Sequence, residues 1–305
     1  MIVTFDGPIS ASAYELLGVA ATASDDDLRR AYRLRLRQTH PDTGGDAALF
    51  IRVQRAWELI GTVGARADYD RGRAGSAARW APDATAPTTG TRPRARSYGQ
   101  AGAWRRRRYR DLLRAHLGHD VSDAQAYDPA VVRSAPWAVR RMLADALAEE
   151  ATAAAVGDLG IGFTIWHDVA TGSDAGEKLD HVVLSPSGLY ALMSEDFGDA
   201  VRFRQGEAIG EGVGGSTPIA DLLTRMRSVA RAARVRFGGA ILILPDEDLA
   251  QAATSLGSIR GVPFVVVRRC ALRTVLRTGV PGARVLGGNE AFDVRSRLQA
   301  AVRVL

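Results

Sequence analysis

The chain has 305 residues, 46% hydrophobic and 24% charged, a composition that excludes a disordered protein and leaves room for two domains. Its single cysteine, Cys270, excludes an internal disulfide and a cysteine-built metal cage. The net charge of +6 is concentrated: residues 71–120 hold 12 Arg against 3 Asp, while the flanking regions are near neutral, so charge alone does not make the whole chain a nucleic-acid binder.

Residues 1–6 lack a basic stretch followed by an apolar run, so no secretory leader is expected there. The apolar runs 240–244 and 262–267 are far shorter than the roughly 20 residues of a membrane-spanning helix. The cytoplasm is the expected location. Residues 1–11 are read as an N-terminal extension. Residues 12–18 place Ala13, Tyr14, Leu16 and Leu17 at helical spacing before Gly18. Ser24 is placed to cap a second helix, with Asp27 three residues on and Asp25 and Asp26 at the positive end of the helix dipole. Leu28, Tyr32, Leu36 and Thr39 make its inward stripe, and Arg29, Arg33 and Arg37 make another, with Arg30 beside it. Pro41 disfavours helical geometry at His40, so the helix stops there. After the loop 43–45, Asp46 caps a third helix carrying Phe50, Val53, Trp57 and Ile60 inward.

The segments SAYELLGV (12–19), DLRRAYRLRLRQTHPDTGGD (27–46) and FIRVQRAWELIGTVGARADYD (50–70) resemble the J domain of the DnaJ family. Tyr14, Tyr32, Phe50, Ala56, Arg66, Tyr69 and Asp70 stand in family positions around His40-Pro41-Asp42. Arg35 stands where the family has an apolar residue, and Leu34 where it has a basic one. The resemblance implies a small all-α domain over 12–72, a helical hairpin with an HPD loop, that stimulates the ATPase of a DnaK-type chaperone. It implies that Arg29, Arg30, Arg33 and Arg37 steer docking, that Pro41 fixes the loop, that His40 orients it, and that Asp42 makes a charge-assisted bond. A J domain has no catalytic residues of its own.

Residues 73–103, rich in Gly, Ala, Pro, Thr and Arg, are expected to form a flexible, basic linker. Residues 104–120 form a basic segment. Arg105, Arg106, Arg107, Arg108 and Arg110 are candidate anion-binding residues, for nucleic acid or an anionic membrane, against a plainer reading as a solvated basic turn.

Residues 121–305 alternate helical and strand patterns, so an α/β domain with a central sheet is expected. A helix is expected from about 137 to 156, with Val139, Met142, Leu143 and Leu147 inward. Strands are expected over 163–169, 179–184, 189–193, 240–244 and 263–267, the middle pair joined by a turn at 185–188. Thr217 and Pro218 open a helix as cap and first residue. The motifs WHDV (166–169), LDHVVLSPSGLYAL (179–192) and GVPFVVV (261–267) resemble the nuclease-related (NERD) domain. Its active site needs an Asp and then Glu-x-Lys on the next strand. Asp180 is present, but the second slot reads Met193-Ser194-Glu195, which implies a vestigial site of Asp180, Met193 and Glu195. A rearranged magnesium site would combine Lys178, Asp180, Glu195 and either Glu149 or Glu150. Cys270, His167 and His181 each stand alone and are read as structural. The glycine-rich stretch 210–215 lacks a following Lys-Ser/Thr and is read as a loop. The expectation is therefore a non-enzymatic co-chaperone without cofactor or metal, whose C-terminal domain serves targeting or an unknown client or partner. The alternative is a magnesium-dependent nuclease linked to the chaperone.

Overall fold

The structure, a computed structural model, describes residues 7–74, 80–82, 93–172 and 178–305. The chain divides into two compact units, one of residues 1–86 and 117–140, the other of residues 87–116 and 141–305.

The first unit is helical. Helix α1 (Ala13–Leu17) starts with a reciprocal capping box between Ser12 and Glu15. Helix α2 (Asp25–Thr39) starts on Ser24, whose hydroxyl accepts the Asp27 N–H. Helix α3 (Ala47–Ile60) starts on Asp46, which accepts the Leu49 N–H, and α4 (Val63–Ala74) follows. Ala13, Tyr14, Leu16, Leu17, Leu28, Val53, Ala56 and Ile60 form the core. Tyr32 stacks on Trp57 at its edge, with 4.5 Å between ring centroids. Arg66 of α4 ties the start of the domain together: it donates to the Tyr14 hydroxyl, to Asp25 and to the Ala21 and Ala23 carbonyls. The inward stripe of α2 matches the expectation. Arg35 is half-buried, and half-buried Leu36 packs against the core in its place.

Two short helices, Asp123–Ala126 and Pro129–Ser134, belong to this unit, and Arg133 pairs with Glu15 at 3.7 Å. The expected boundary at residue 121 assigned them to the C-terminal domain, so the structure divides the chain differently.

The second unit is built on a mixed sheet. Its strands are β1 (Arg96–Tyr98), β2 (Thr164–Ala170), β3 (Lys178–Ser185), β4 (Gly188–Ser194), β5 (Gly239–Leu244), β6 (Ala253–Ile259) and β7 (Val262–Arg268), in the order β1-β2-β3-β4-β5-β7-β6. Pairings β1–β2, β4–β5 and β5–β7 are parallel, and the others antiparallel. Helices α5 (Ala103–Leu117), α6 (Trp137–Gly157), α7 (Pro218–Ala233), α8 (Leu272–Thr278) and α9 (Gly288–Ala301) complete the labelled elements. Alternation along the strands separates two cores. Ala240, Leu242 and Leu244 meet Leu222, Met226 and Val229 of α7 and Val294 and Leu298 of α9 on one face. Ile241 and Ile243 meet Val156 of α6 and Leu272 and Leu276 of α8 on the other.

Three expectations are corrected. The linker expected over 73–103 is folded at its C-terminal end, because β1 adds to the free edge of β2. Tyr98 stacks on Trp166, and Gly99 adopts φ +81° where a Cβ would lie 2.5 Å from the His167 carbonyl oxygen. Residues 75–79 and 83–92 of that segment lie outside the described residues. Thr217 does not cap α7 with its side chain; Glu207 does, accepting the Ile219 and Ala220 N–H groups at 2.9 and 3.1 Å. His167 and His181 are not isolated: they are cross-strand partners in β2 and β3, with Nδ1 atoms 2.8 Å apart.

Candidate functional site

The loop after α2 is shaped by its own backbone. His40 caps the helix in an extended conformation (φ −64°, ψ 127°), the geometry a following proline imposes. Residues Pro41–Thr43 then form one 3-10 turn. The Asp42 N–H donates to His40 Nδ1 at 3.2 Å, so Nδ1 is the acceptor and the ring proton belongs on Nε2. The Gly44 N–H donates to the Pro41 carbonyl, and the Gly45 N–H to the His40 carbonyl, each at 3.0 Å. A Cβ on Gly45 would lie 2.3 Å from the Thr39 carbonyl carbon, so only glycine permits this closure. The His40 ring meets Phe50 of α3 edge-on at 5.0 Å. Each tie holds the loop's root, and none covers its tip: the Asp42 side chain is 88% exposed.

Arg29, Arg30, Arg33 and Arg37 all lie exposed on α2. Arg29 pairs with Asp26 at 3.2 Å and Arg30 with Asp27 at 3.8 Å, one turn back on the same helix. Such pairs on an exposed helix face contribute little and leave the guanidinium groups accessible. The expected docking residues thus share one domain, with the arginines on α2 and the HPD loop at its end.

The second unit gathers charge in its interior. Lys178, at the start of β3, is enclosed by Glu149 of α6 (2.6 Å to both oxygens), Asp168 of β2 (2.7 Å) and Asp180 of β3 (3.0 Å). Arg105 of α5 enters from the other side. It binds Asp145 at 2.9 Å and Glu149 through Nε, and approaches Glu195 at 3.5 Å and Asp180 at 3.7 Å. Arg141 bridges Asp145 and Glu195, and Arg106 holds Glu150 with two N–H groups. Backbone groups complete the ligation, with Gly102 N–H on Glu149, Trp104 N–H on Asp168 and Ser194 N–H on Asp180.

Among the described residues, five buried carboxylates here meet three cations, and the imbalance shows in proton affinities. Burial, with the Glu195 charge beside it, raises Asp145 to about 7. Burial and Asp180 push Glu149 well above the usual carboxylate range. Burial also acts against the Asp180 charge, but Lys178 and Arg105 outweigh it and hold Asp180 far below its ordinary value. The histidine pair favours the neutral form: burial lowers His167 to about 4, and burial with His167 alongside lowers His181 well below its ordinary value.

The geometry corrects the reading of Arg105 and Arg106 as anion-binding residues. Both are buried, and their charges are committed to carboxylates of α6 and the sheet; Arg107 and Arg108 are exposed and Arg110 half-buried. The vestigial trio is separated. Asp180 and Glu195 share the charge cluster, whereas Met193 packs in the apolar core with Leu184 and Leu242. Lys178, Asp180 and Glu149 do converge, as a rearranged site requires, but the ammonium lies among the carboxylates that would hold a metal. Among the described residues no group of His, Cys, Asp and Glu side chains is arranged to hold a metal ion. Sequence reasoning missed Asp145, Asp168 and Arg141. Asp145 and Glu149 lie four apart, on one helix face, and that spacing was the available signal. No described helix is long and apolar enough to cross a membrane.

Comparison with known proteins bears on the first unit. The family model described as the DnaJ domain matches residues 12–70. A DnaJ protein homolog from Cucumis sativus is 43% identical over 58 residues, 19% of this chain and 14% of that protein. The chaperone protein DnaJ of Thermosynechococcus vestitus is 44% identical over 66 residues, and that of Bordetella bronchiseptica 45% over 67; each match covers 20% of this chain and 18% of the relative. The chain thus spans less than a fifth of these relatives' length. No solved structure matches the chain.

Proposed function

We propose, from the J domain that residues 12–70 form, that this chain is a co-chaperone that binds a DnaK-type chaperone and stimulates its ATPase. The observation that carries the reading is the HPD loop: a backbone-locked turn that presents an exposed Asp42 at the end of an arginine-faced helix. Complementary charge steers the arginine face of α2 onto an acidic partner surface, and Asp42 then makes a charge-assisted bond that a neutral side chain cannot replace. The chain contributes no catalytic group; the hydrolysis is the partner's.

The second unit is, in this proposal, a non-catalytic domain for targeting or partner binding. The nuclease alternative needs carboxylates that hold magnesium. Asp180, Glu149 and Glu195 instead face Lys178, Arg105 and Arg141 where a metal would have to sit. The test is ATP hydrolysis by a DnaK-type chaperone with the full chain added. Stimulation is expected from the wild type and none from His40→Gln or Asp42→Asn. Full stimulation by both variants would overturn the reading.

A further inference from the structure

Between Asp221 and Asp246 the chain has five arginines and no acidic residue. Three of them, Arg227, Arg231 and Arg234, follow one another along α7 and its C-cap at spacings of four and three, which places them on one face. The fold adds two more. Arg227 donates to the carbonyl of Arg260, in the turn between β6 and β7, at 3.4 Å. Arg297 of α9 donates to the carbonyl of Arg234 at 3.1 Å. Three separate elements thus bring five arginines together, four exposed and Arg227 half-buried. Among the described residues none of the five joins an ion pair. This sets them apart from the arginines of α2 and α5, several of which have carboxylate partners.

A helix C-terminus attracts cations, but its partial charge is about −0.5 and offsets only a fraction of one arginine. Clustering like charges on a folded surface opposes folding, and the two carbonyl contacts account for Arg227 and Arg297 alone, so Arg231, Arg234 and Arg260 have no stabilising side-chain contact within the unit among the described residues. Each guanidinium has five N–H donors. Arg227 and Arg297 each use one group on a carbonyl that fixes the side chain, and keep others available for a phosphate.

We infer that this ridge binds the sugar-phosphate backbone of duplex nucleic acid without reading its sequence. A membrane-surface helix needs its apolar face free to enter lipid, whereas the apolar face of α7, from Ile219 to Val229, is consumed by the sheet. Single-strand binding relies on aromatic rings that stack on bases, and the one large exposed ring on the adjoining helices is Phe292 of α9. What the ridge offers is a row of charge, which matches a duplex backbone. This inference is independent of the HPD loop.

The test is fluorescence anisotropy of a labelled mixed-sequence 24-base-pair DNA duplex with the full chain at two salt concentrations. The triple variant Arg231→Glu/Arg234→Glu/Arg297→Glu is expected to bind at least tenfold more weakly. Its log-affinity against log-salt slope is expected to be shallower by about 3, roughly one per phosphate contact removed. The triple Arg→Lys variant at the same positions keeps the charge and retains binding, which separates loss of charge from loss of fold. Arg107→Glu/Arg108→Glu and Asp42→Asn are expected to bind like wild type. Absence of duplex binding by the wild type, unchanged binding in the triple Glu variant, or loss in the Arg107/Arg108 variant instead would overturn the inference. Binding to vesicles of phosphatidylcholine and phosphatidylserine without duplex binding would also overturn it and assign the ridge to lipid.

Discussion

The J domain carries Arg29, Arg33 and Arg37 on an open face of α2, whereas the second unit carries Arg105 and Arg106 inside, against carboxylates of α6 and the sheet. Both sets look alike in the sequence, as basic runs on helices. Burial separates them. On α2 the inward stripe is largely apolar, so the charges stay in water, where salt screens them. On α5 the guanidinium of Arg105 is buried and paired with Asp145 and Glu149, so its removal leaves those carboxyls without their shared partner. An arginine run therefore has no function of its own until its counter-charges are located.

The comparison can be broken at several points. The largest effect is expected from Arg105→Ala, which leaves Asp145, Glu149, Asp180 and Glu195 without their shared cation. The melting transition of the sheet unit should fall by about 3–5 kcal/mol of stability, measured by calorimetry on the full chain. A loss below about 1 kcal/mol would mean that the cluster is not holding α5 in place.

A second effect is expected from pH. The folded-state value of Asp145, about 7, lies above its ordinary 3.8, so the folded state holds the proton more tightly. The contribution of this group is full below about 4 and is lost as pH rises toward 7. The sheet unit should lose stability across that window, apart from other groups' contributions, and Asp145→Asn should flatten the decline between about pH 4 and 7. An unchanged pH profile in Asp145→Asn would place the titration elsewhere.

The smallest effect on folding is expected on α2. Arg29→Glu/Arg33→Glu/Arg37→Glu should leave melting nearly unchanged while weakening chaperone docking, and added salt should weaken docking of the wild type. A chaperone affinity indifferent to both changes would remove the steering role.

The J domain was largely legible because local rules and packing agree there. Ser24 caps, Pro41 stops the helix, and Leu28 and Val53 are buried at the spacing read from the chain. The central strands were legible for a related reason: uniformly apolar runs such as 240–244 are buried on both faces. Strand β6 was missed because its seven residues, Ala253–Ile259, are exposed in alternation and interrupted by Gly257 at a bulge. Strand β1 was missed because Arg96–Tyr98 is exposed throughout and is held by an edge that only the folded sheet provides. The charge cluster was partly legible: strand alternation anticipated that Lys178, Asp180, Glu195 and Glu149 could meet, but Arg105 comes from a separate helix and no spacing along the chain records that it joins them.

One paired measurement tests the contrast most directly: the single-turnover rate of ATP hydrolysis by a DnaK-type chaperone, with each variant's melting temperature recorded alongside. Asp42→Asn should lose the stimulation and keep the wild-type melting temperature, because the Asp42 side chain is 88% exposed and, among the described residues, reaches only the neighbouring His40 ring, at 3.8 Å. Arg105→Lys should lower the melting of the sheet unit, since a lysine cannot span Asp145 and Glu149 as the guanidinium does, and should keep the stimulation. Stimulation that persists in Asp42→Asn and disappears in Arg105→Lys would contradict the account and place the activity in the buried cluster.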